Sequence, residues 1–258
     1  KNSEFDHYLK RFGYKFKNDN KEYGGYAILF DKKISIVMDV GTSPSPRFSS
    51  KYQSGALSFE INSSGKKLIS NCGYYEGKND KLIELSKSTA THSTLVIDDN
   101  SSCHFKKNNK NFILIDGIKI LKKNIIFEKK YWKINASHDG YTKKYGRIHD
   151  RQIEYFPDQN KFIGIDRILN KKSSFNIKFD IRFHIEPNVK LMKTQDNKSI
   201  LIDLDDEGWK FTRRNFNIDI DNGLYFGNKN SYTQNQNIFI SGITNNQDEN
   251  IEWQLSKI

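Results

Sequence analysis

The stretch FNIKFDIRFH, residues 175–184, alternates strictly between apolar and polar side chains. Its apolar members are Phe175, Ile177, Phe179, Ile181 and Phe183. Successive side chains of an extended strand point to opposite faces, so this spacing places all five on one face. The stretch therefore predicts a β-strand with one buried and one polar face, as antiparallel sheets have.

The same alternation recurs elsewhere in the chain. Between residues 56 and 62, Leu57, Phe59 and Ile61 alternate with polar residues. Further short apolar runs continue to the C-terminus, and turn-forming segments such as 221–223 separate them. Many short strands with this punctuation predict an all-β fold, a large antiparallel multistranded β-sandwich with few short helices.

The patterns also predict a core, two helices and a domain boundary. Short helices are expected over residues 3–11 and 80–88. No repeat or shift in composition divides the chain, so we expect one domain over residues 23–258 after an N-terminal tail or linker of residues 1–22. The side chains expected to be buried are Leu57, Phe59, Trp132, Phe175, Ile177, Phe179 and Phe183.

The 258-residue chain has a formal net charge of +11 at pH 7. Such a charge attracts polyanions, namely acidic polysaccharides, nucleic acids or anionic membranes. Lysines in turns and at sheet edges also prevent edge-to-edge aggregation, and most lysine pairs here lie between apolar runs. The sequence contains no nucleic-acid-binding motif and no apolar run of membrane-spanning length, so we expect no nucleic acid partner and no membrane span.

The cysteines and several histidines give no site prediction of their own. Cys72 and Cys103 do not form a disulfide framework, and the sequence leaves their pairing open. His138, His149 and His184 lie in turns or on polar strand faces, where structural roles are the more frequent interpretation.

Seven groups of short motifs follow one another over most of the chain. They are GY (25–26) with MDVG (38–41), GALSFEI (55–61) with NCG (71–73), ATHSTLVIDD (90–99), SHDGY (137–141) with IHDR (148–151), IRFHIEP (181–187), EGWKF (207–211) and IFISG (238–242). In this order they resemble the C-terminal domain of the heparinase II/III-like proteins, from roughly residue 24 to the C-terminus.

The resemblance implies a β-sandwich that follows an N-terminal α/α-toroid domain in a longer bacterial protein. Lyases of this family cleave acidic polysaccharides, such as glycosaminoglycans or alginate-like polymers, by β-elimination between the two domains. That reaction needs neutralisation of the uronate carboxylate, removal of the C5 proton and protonation of the leaving oxygen. The implied partners are an acidic polysaccharide and the toroid, and only the resemblance indicates a periplasmic or cell-envelope location. The chain alone is expected to be inactive.

The resemblance also assigns candidate site residues. Lys51 occupies the position of the family's catalytic histidine in the sandwich. Gln53 and Asn71 occupy two zinc-ligand positions, and His92 retains the third. Neutral amides are poor zinc ligands, so we expect no metal and no cofactor. Because two tyrosines follow the NCG turn, the predicted assignment is Lys51 and Tyr75 as catalytic residues, with Gln53, Asn71, Tyr74 and His92 as substrate-binding residues.

Two functions remain open from the sequence. The first is the sandwich domain of a polysaccharide lyase that binds and cleaves a uronic-acid polymer together with the toroid. The second is a catalytically degenerate glycan-binding or structural envelope module. The replacements at Lys51, Gln53 and Asn71 favour the second, and the ordered motifs together with the basic charge favour the first.

Overall fold

The structure is a computed structural model that describes residues 7–8, 11–13, 21–108, 111–171, 174–228 and 230–258. Most of the expected tail and of the expected helix over 3–11 lies outside the described residues. Elsewhere the described chain contains two helices, α1 (Asp80–Lys87) and α2 (Thr142–Tyr145). Neither of these helices, nor any other in the described ranges, is long and apolar enough to cross a membrane.

Strands make up most of the remaining described structure. In chain order they are β1 (Glu22–Tyr23), β2 (Tyr26–Phe30), β3 (Ile34–Asp39), β4 (Phe59–Ser63), β5 (Lys66–Ile69), β6 (Leu95–Ile97), β7 (His104–Asn108), β8 (Asn111–Asp116), β9 (Ile120–Phe127), β10 (Trp132–His138), β11 (Arg147–Phe156), β12 (Lys161–Asn170), β13 (Lys178–His184), β14 (Lys190–Lys193), β15 (Ser199–Asp203), β16 (Gly208–Arg213), β17 (Asn217–Tyr225), β18 (Thr233–Ile243) and β19 (Glu249–Lys257).

The strands form large antiparallel sheets, which confirms the predicted fold class. The largest sheet has the order β14-β15-β16-β19-β12-β11-β10-β9. A five-stranded sheet runs in chain order from β1 to β5, and a four-stranded sheet has the order β17-β18-β13-β6. A separate hairpin pairs β7 with β8.

Aromatic rings from the three large sheets meet in one core. Phe59 of β4 stacks on Trp253 of β19 with 5.6 Å between ring centroids. Phe183 of β13 contacts the same indole at 5.0 Å. Gly164 of β12 admits this indole, because a Cβ there would lie 2.0 Å from Trp253. Burial of such large rings is the main favourable term in holding the sheets together.

Six of the seven expected core side chains are buried, and Phe175 is the exception. Its side chain is 53% exposed. The cross-strand pairing of β13 with β18 begins only at Lys178, opposite Ile243. The alternating pattern therefore extends beyond the strand, and the side chain of Phe175 is not held against the core.

The predicted turn at residues 221–223 is also wrong. These residues lie inside β17 and pair with residues 235–237 of β18. A side chain at position 223 would be too close to a neighbour, because a Cβ there would lie 2.7 Å from the Asn235 Oδ1 atom. A glycine in an Asp-Asn-Gly sequence can thus mark close side-chain approach within a sheet as well as a turn.

Candidate functional site

A cavity of about 610 Å³ lies on the polar face of the five-stranded sheet. This face is opposite the core because Val37 and Asp39 of β3, and Glu60 of β4, alternate with buried neighbours. Residues 51–58, the NCG turn and the end of β17 form the other walls. The cavity therefore combines a rigid sheet floor with walls made by loops.

The NCG turn brings two chain segments together beside the cavity. Gly73 has a φ of +80°, and a Cβ there would lie 3.2 Å from the backbone of Phe226. The Phe226 N–H donates to the Cys72 carbonyl across this approach. Glycine is required by both the left-handed conformation and the lack of space.

Helix α1 confirms the helix expected over residues 80–88 and supports the cavity wall. The side chain of Asn79 caps its N-terminus by accepting hydrogen bonds from the Lys81 and Leu82 N–H groups. At the other end, the carbonyl of Ser86 accepts a 2.6 Å hydrogen bond from the Gln53 side chain. The helix thereby fixes the segment that precedes the cavity floor.

Gln53 and Asn71, both predicted to bind substrate, line the cavity but have protein partners. Gln53 Nε2 also donates to the Gly73 carbonyl, at 3.1 Å. Asn71 Oδ1 accepts from the Ser93 N–H at 2.8 Å, and Asn71 Nδ2 donates to Glu60 at 3.3 Å. Their amides hold the walls in position, which limits what they offer to a ligand.

His92 lines the cavity, is 5% exposed and presents one nitrogen without a partner among the described residues. Its Nδ1 atom donates to the Ser88 carbonyl at 2.8 Å, since a carbonyl can only accept. Burial lowers the pKa of His92 to about 4, although the Ser88 hydrogen bond opposes that shift. The ring is therefore neutral near pH 7, and its Nε2 atom can accept a hydrogen bond.

Lys51 lies at the rim and keeps its side chain 83% exposed. Its Nζ atom is 3.9 Å from Glu76 Oε1, so the cation has a carboxylate neighbour. Tyr74 also lines the cavity, and burial and then the charge of Glu76 raise the pKa of its hydroxyl. Tyr74 is thus a hydrogen-bond donor near neutral pH.

Tyr75, predicted as a catalytic residue, is not among the residues that line the cavity. Its side chain is 8% exposed and lies in a small cluster with Cys72 and Phe226. The ring contacts Phe226 edge-on, with 5.9 Å between centroids. Successive residues in extended backbone point to opposite sides, so placing Tyr74 in the cavity directs Tyr75 inward.

The donor atoms here do not fit a zinc ion. Gln53 uses its amide nitrogen on two carbonyls, and the Asn71 oxygen already accepts a backbone N–H. His92 would supply the single imidazole, and zinc sites rely on several imidazole, thiolate or carboxylate ligands. In the parts of the chain that the structure covers, no three His, Cys, Asp or Glu side chains are grouped to hold a metal.

Sequence reasoning missed several residues of the cavity lining. Asp39 and Glu60 belong to the MDVG and GALSFEI motifs, which served only to identify the resemblance. Their signal was available, because both alternate with apolar residues and had to lie on the polar face. Tyr225 had no such signal, since a turn was expected just before it. Tyr26 and Lys67 also line the cavity.

The arrangement offers exposed aromatic rings and fixed polar groups. The Tyr26 side chain is 47% exposed, and the Tyr74 and Tyr225 side chains are partly exposed at the same cavity. Acceptors face inward from His92 and Asp39. A site of this kind binds a polar ligand with flat apolar faces and many hydroxyl groups.

The two cysteines are free thiols in the structure and are both buried. Cys72 Sγ lies 3.1 Å from the Nδ1 atom of His184, and Cys103 Sγ lies 3.7 Å from the hydroxyl of Ser43. Burial raises the pKa of each thiol, to about 12 for Cys72. Neither thiol is activated as a nucleophile.

Comparisons with known proteins agree with this fold. The family model for the heparinase II/III-like C-terminal domain matches residues 19–254. The heparan sulfate lyase HepC of Pedobacter heparinus superposes with a TM-score of 0.74 at 13% identity, over 99% of this chain and 41% of that one. A heparinase III structure gives a TM-score of 0.71 at 15% identity, over 100% of this chain and 42% of that one.

A curated relative from Caulobacter vibrioides, FtsZ-localized protein C, is 24% identical over 250 residues. That match covers 91% of this chain and 42% of the relative. The chain thus spans less than half the length of the relatives it matches. The family match over nearly the whole chain and the shared architecture lead to one conclusion: the chain belongs to the heparinase II/III-like family and corresponds to its C-terminal domain.

Proposed function

We propose that this chain is a glycan-binding β-sandwich domain of a longer polysaccharide lyase-like protein, and that its cavity binds a segment of a carbohydrate chain. The observation that carries the proposal is the set of tyrosine rings at Tyr26, Tyr74 and Tyr225 around fixed hydrogen-bonding groups. Sugar rings present apolar faces and peripheral hydroxyls, so they match such a surface. Family membership supports the same ligand class.

The structure gives less support to β-elimination by this domain. Of the two predicted catalytic residues, Tyr75 packs away from the cavity, and Tyr74 is the better placed hydroxyl. Lys51 could neutralise a carboxylate at the rim, but Glu76 is already beside it. With the pKa of His92 at about 4, that imidazole is a weak base at neutral pH. His92 is therefore a poor candidate for the proton-abstracting base that β-elimination needs.

Calorimetric titration of the chain with oligosaccharides representing neutral, amino and acidic polymers tests the proposal. We expect saturable binding of at least one class, weakened about tenfold by Tyr74→Ala because packing of a sugar C–H face on a tyrosine ring is worth about 1 kcal/mol or more. Tyr131→Ala is the matched control, because Tyr131 is also partly buried with a raised pKa but does not line the cavity. Equal affinity in both variants would contradict the proposal.

The alternative of catalysis has its own test in the full-length protein. A panel of uronate polymers is incubated with it while the absorbance of unsaturated products is followed. We expect that the Lys51 side chain makes no difference to the amount of unsaturated product formed. Lys51→Ala is compared with Lys130→Ala, another exposed lysine next to one carboxylate. Product formation lost only in Lys51→Ala would show that the domain takes part in β-elimination.

A further inference from the structure

The charged groups of the cavity are paired in a specific way. Lys67 Nζ lies 3.5 Å from Glu60 Oε2, and Lys51 Nζ lies 3.9 Å from Glu76 Oε1. These are the two lysines among the described lining residues, and no arginine is part of that lining. Each cavity cation therefore has a carboxylate beside it before any ligand binds.

Asp39 is the third carboxyl group of the lining and differs from the other two. It lies at the end of β3, opposite Tyr26 in the neighbouring strand. Its Oδ1 atom accepts one hydrogen bond, from the Gly41 N–H at 3.0 Å. Among the described residues, no lysine, arginine or histidine forms an ion pair with it, and the causes of its pKa shift are burial and this hydrogen bond. Asp39 thus offers a cavity ligand a largely buried acceptor without a cation.

On the basis of the proposed function, we infer that the cavity selects an amino sugar, a hexosamine unit whose C2 nitrogen donates a hydrogen bond to Asp39, and discriminates against uronic acids. A uronate carboxylate in this space would face three carboxyl groups and find both lysines already paired. Like charges in a partly desolvated site repel, and leaving one unpaired is costly. An N–H donor instead supplies the hydrogen bond that Asp39 lacks.

The net charge of +11 does not reverse this inference. Exposed charges more than about 8 Å away are largely screened at physiological ionic strength. The basic surface can raise the encounter rate with any polyanion, whereas selectivity depends on the groups that contact the bound sugar. Attraction of a polyanion to the basic surface is therefore separate from recognition of a sugar in the cavity.

Four glucose-derived tetrasaccharides of the same linkage provide a test. Relative to cellotetraose, the chitin tetramer carries an acetamido group and the chitosan tetramer an ammonium group in place of the C2 hydroxyl. The glucuronic acid tetramer keeps that hydroxyl and carries a carboxylate in place of the C6 hydroxymethyl group. We expect the wild-type chain to bind both nitrogen-bearing tetramers more tightly than cellotetraose, and the glucuronic acid tetramer least. Asp39→Asn should weaken binding of the chitosan tetramer about tenfold, the equivalent of one charge-assisted hydrogen bond.

The two nitrogen-bearing ligands distinguish ammonium from amide recognition. If the ammonium form is recognised, its affinity falls with added salt and depends on Asp39 more than that of the acetamido form. Asp158→Asn, at an exposed carboxylate outside the cavity, is the matched control and should change nothing. The order of the wild-type chain's affinities for the four tetramers tests the inference even without any variant.

Tighter binding of the glucuronic acid tetramer than of either nitrogen-bearing tetramer would overturn this inference while supporting a glycan-binding function. The same holds if Asp39→Asn leaves all four affinities unchanged. Failure of every tetramer, together with failure of the broader oligosaccharide panel, would overturn both this inference and the proposed function.

Discussion

Burial is the main influence on the pKa of Asp39. Burial raises the pKa of its carboxyl group to about 6, and the Gly41 hydrogen bond opposes the shift only in part. A group held in a less favourable environment than water lowers stability, and such costs recur at sites that bind or react. The raised pKa is consistent with the binding role that we infer for Asp39.

Substituting Asp39 by Asn should stabilise the chain at neutral and higher pH. The pKa in the folded chain lies above the ordinary 3.8, so ionisation costs stability in full above about pH 6. That cost shrinks as the pH falls towards the ordinary value and is absent below it. We expect the free energy of unfolding of Asp39→Asn to exceed that of the wild-type chain by up to about 3 kcal/mol at high pH.

Urea unfolding at about pH 8 and about pH 4 measures this difference. Asp158→Asn serves as the control, because its carboxylate is exposed and pairs with Lys130. An Asp39→Asn variant that is no more stable than the wild-type chain at the higher pH would contradict the account of this residue.

Among the elements, the segment between β3 and β4 is the most informative. It holds two of the four prolines of the chain, and long loops on a rigid sheet are often functional and otherwise variable. In the structure the Ser49 Oγ atom accepts from the Leu114 N–H, and the Ser43 Oγ atom from the Ile118 N–H, both at 2.9 Å. Lys87 adds two 2.7 Å hydrogen bonds to the carbonyls of Ser50 and Tyr52. The segment is a braced wall of the cavity.

Lys87 has no carboxylate partner in the described structure, and burial lowers its pKa to about 8. Its Nζ atom lies 5.3 Å from the centre of the Tyr74 ring and 4.8 Å from that of Phe105. It thus connects helix α1 to the cavity loop and to one of its tyrosines. This brace could not be predicted from sequence, because an isolated Lys at a helix end normally points to water.

Replacing Lys87 by Met should loosen the loop without changing the rest of the fold. Two carbonyls lose their donor, which costs about 1–3 kcal/mol of local stability. Trypsin cleavage after Arg47 and Lys51 should then accelerate by about tenfold, because proteolysis follows local opening. Lys143→Met, at a lysine that is 85% exposed, is the control. Equal cleavage rates in the two variants would contradict the brace.

Strand patterns predicted the elements well wherever one face is buried and the other polar. Strand β13 lies within the strand predicted at 175–184, and α1 ends one residue before the expected position. The failures at Phe175 and Gly223 share a physical cause: alternation and turn residues describe local preference, whereas cross-strand pairing decides where a strand begins and ends. The cavity residues on loops were recoverable only through the family resemblance.

At the scale of the whole molecule, a buried polar cluster ties the eight-stranded sheet to the cavity segments. Asp166 of β12 contacts His149 at 2.7 Å, Arg151 at 2.6 Å and the Trp253 indole at 2.9 Å. Arg151 Nη1 also donates to the carbonyls of Leu57 and Ser93. His149, which was interpreted as a structural residue from the sequence, has that role in this cluster.

The electrostatics of this cluster favour a charged carboxylate. Burial raises the pKa of Asp166, but Arg151 and His149 outweigh it and hold the pKa below its ordinary value. Leu57, which accepts from Arg151, adopts a φ of +57° directly beside the cavity residue Ser58. A bulky residue in that conformation is strained, and the hydrogen bond to Arg151 helps to hold it.

Asp166→Ala should destabilise the whole chain by about 3–5 kcal/mol, because it leaves the buried Arg151 charge uncompensated. The free energy of unfolding in urea measures the effect. Asp158→Ala, at an exposed carboxylate, should stay within about 0.5 kcal/mol of the wild-type chain. If Asp166→Ala also changed the free energy of unfolding by no more than about 0.5 kcal/mol, the cluster would not be what holds the sheets together.

The most direct measurement of the central claim is an NMR titration of the isotope-labelled chain with its best-binding oligosaccharide. If the cavity binds carbohydrate, the backbone amide signals of Asn71, Gly73 and Gly227 shift together and saturate at the calorimetric affinity. Shifts confined to a different surface, such as the groove beside β14 and β17, or no shifts at the cavity despite measured binding, would contradict the claim.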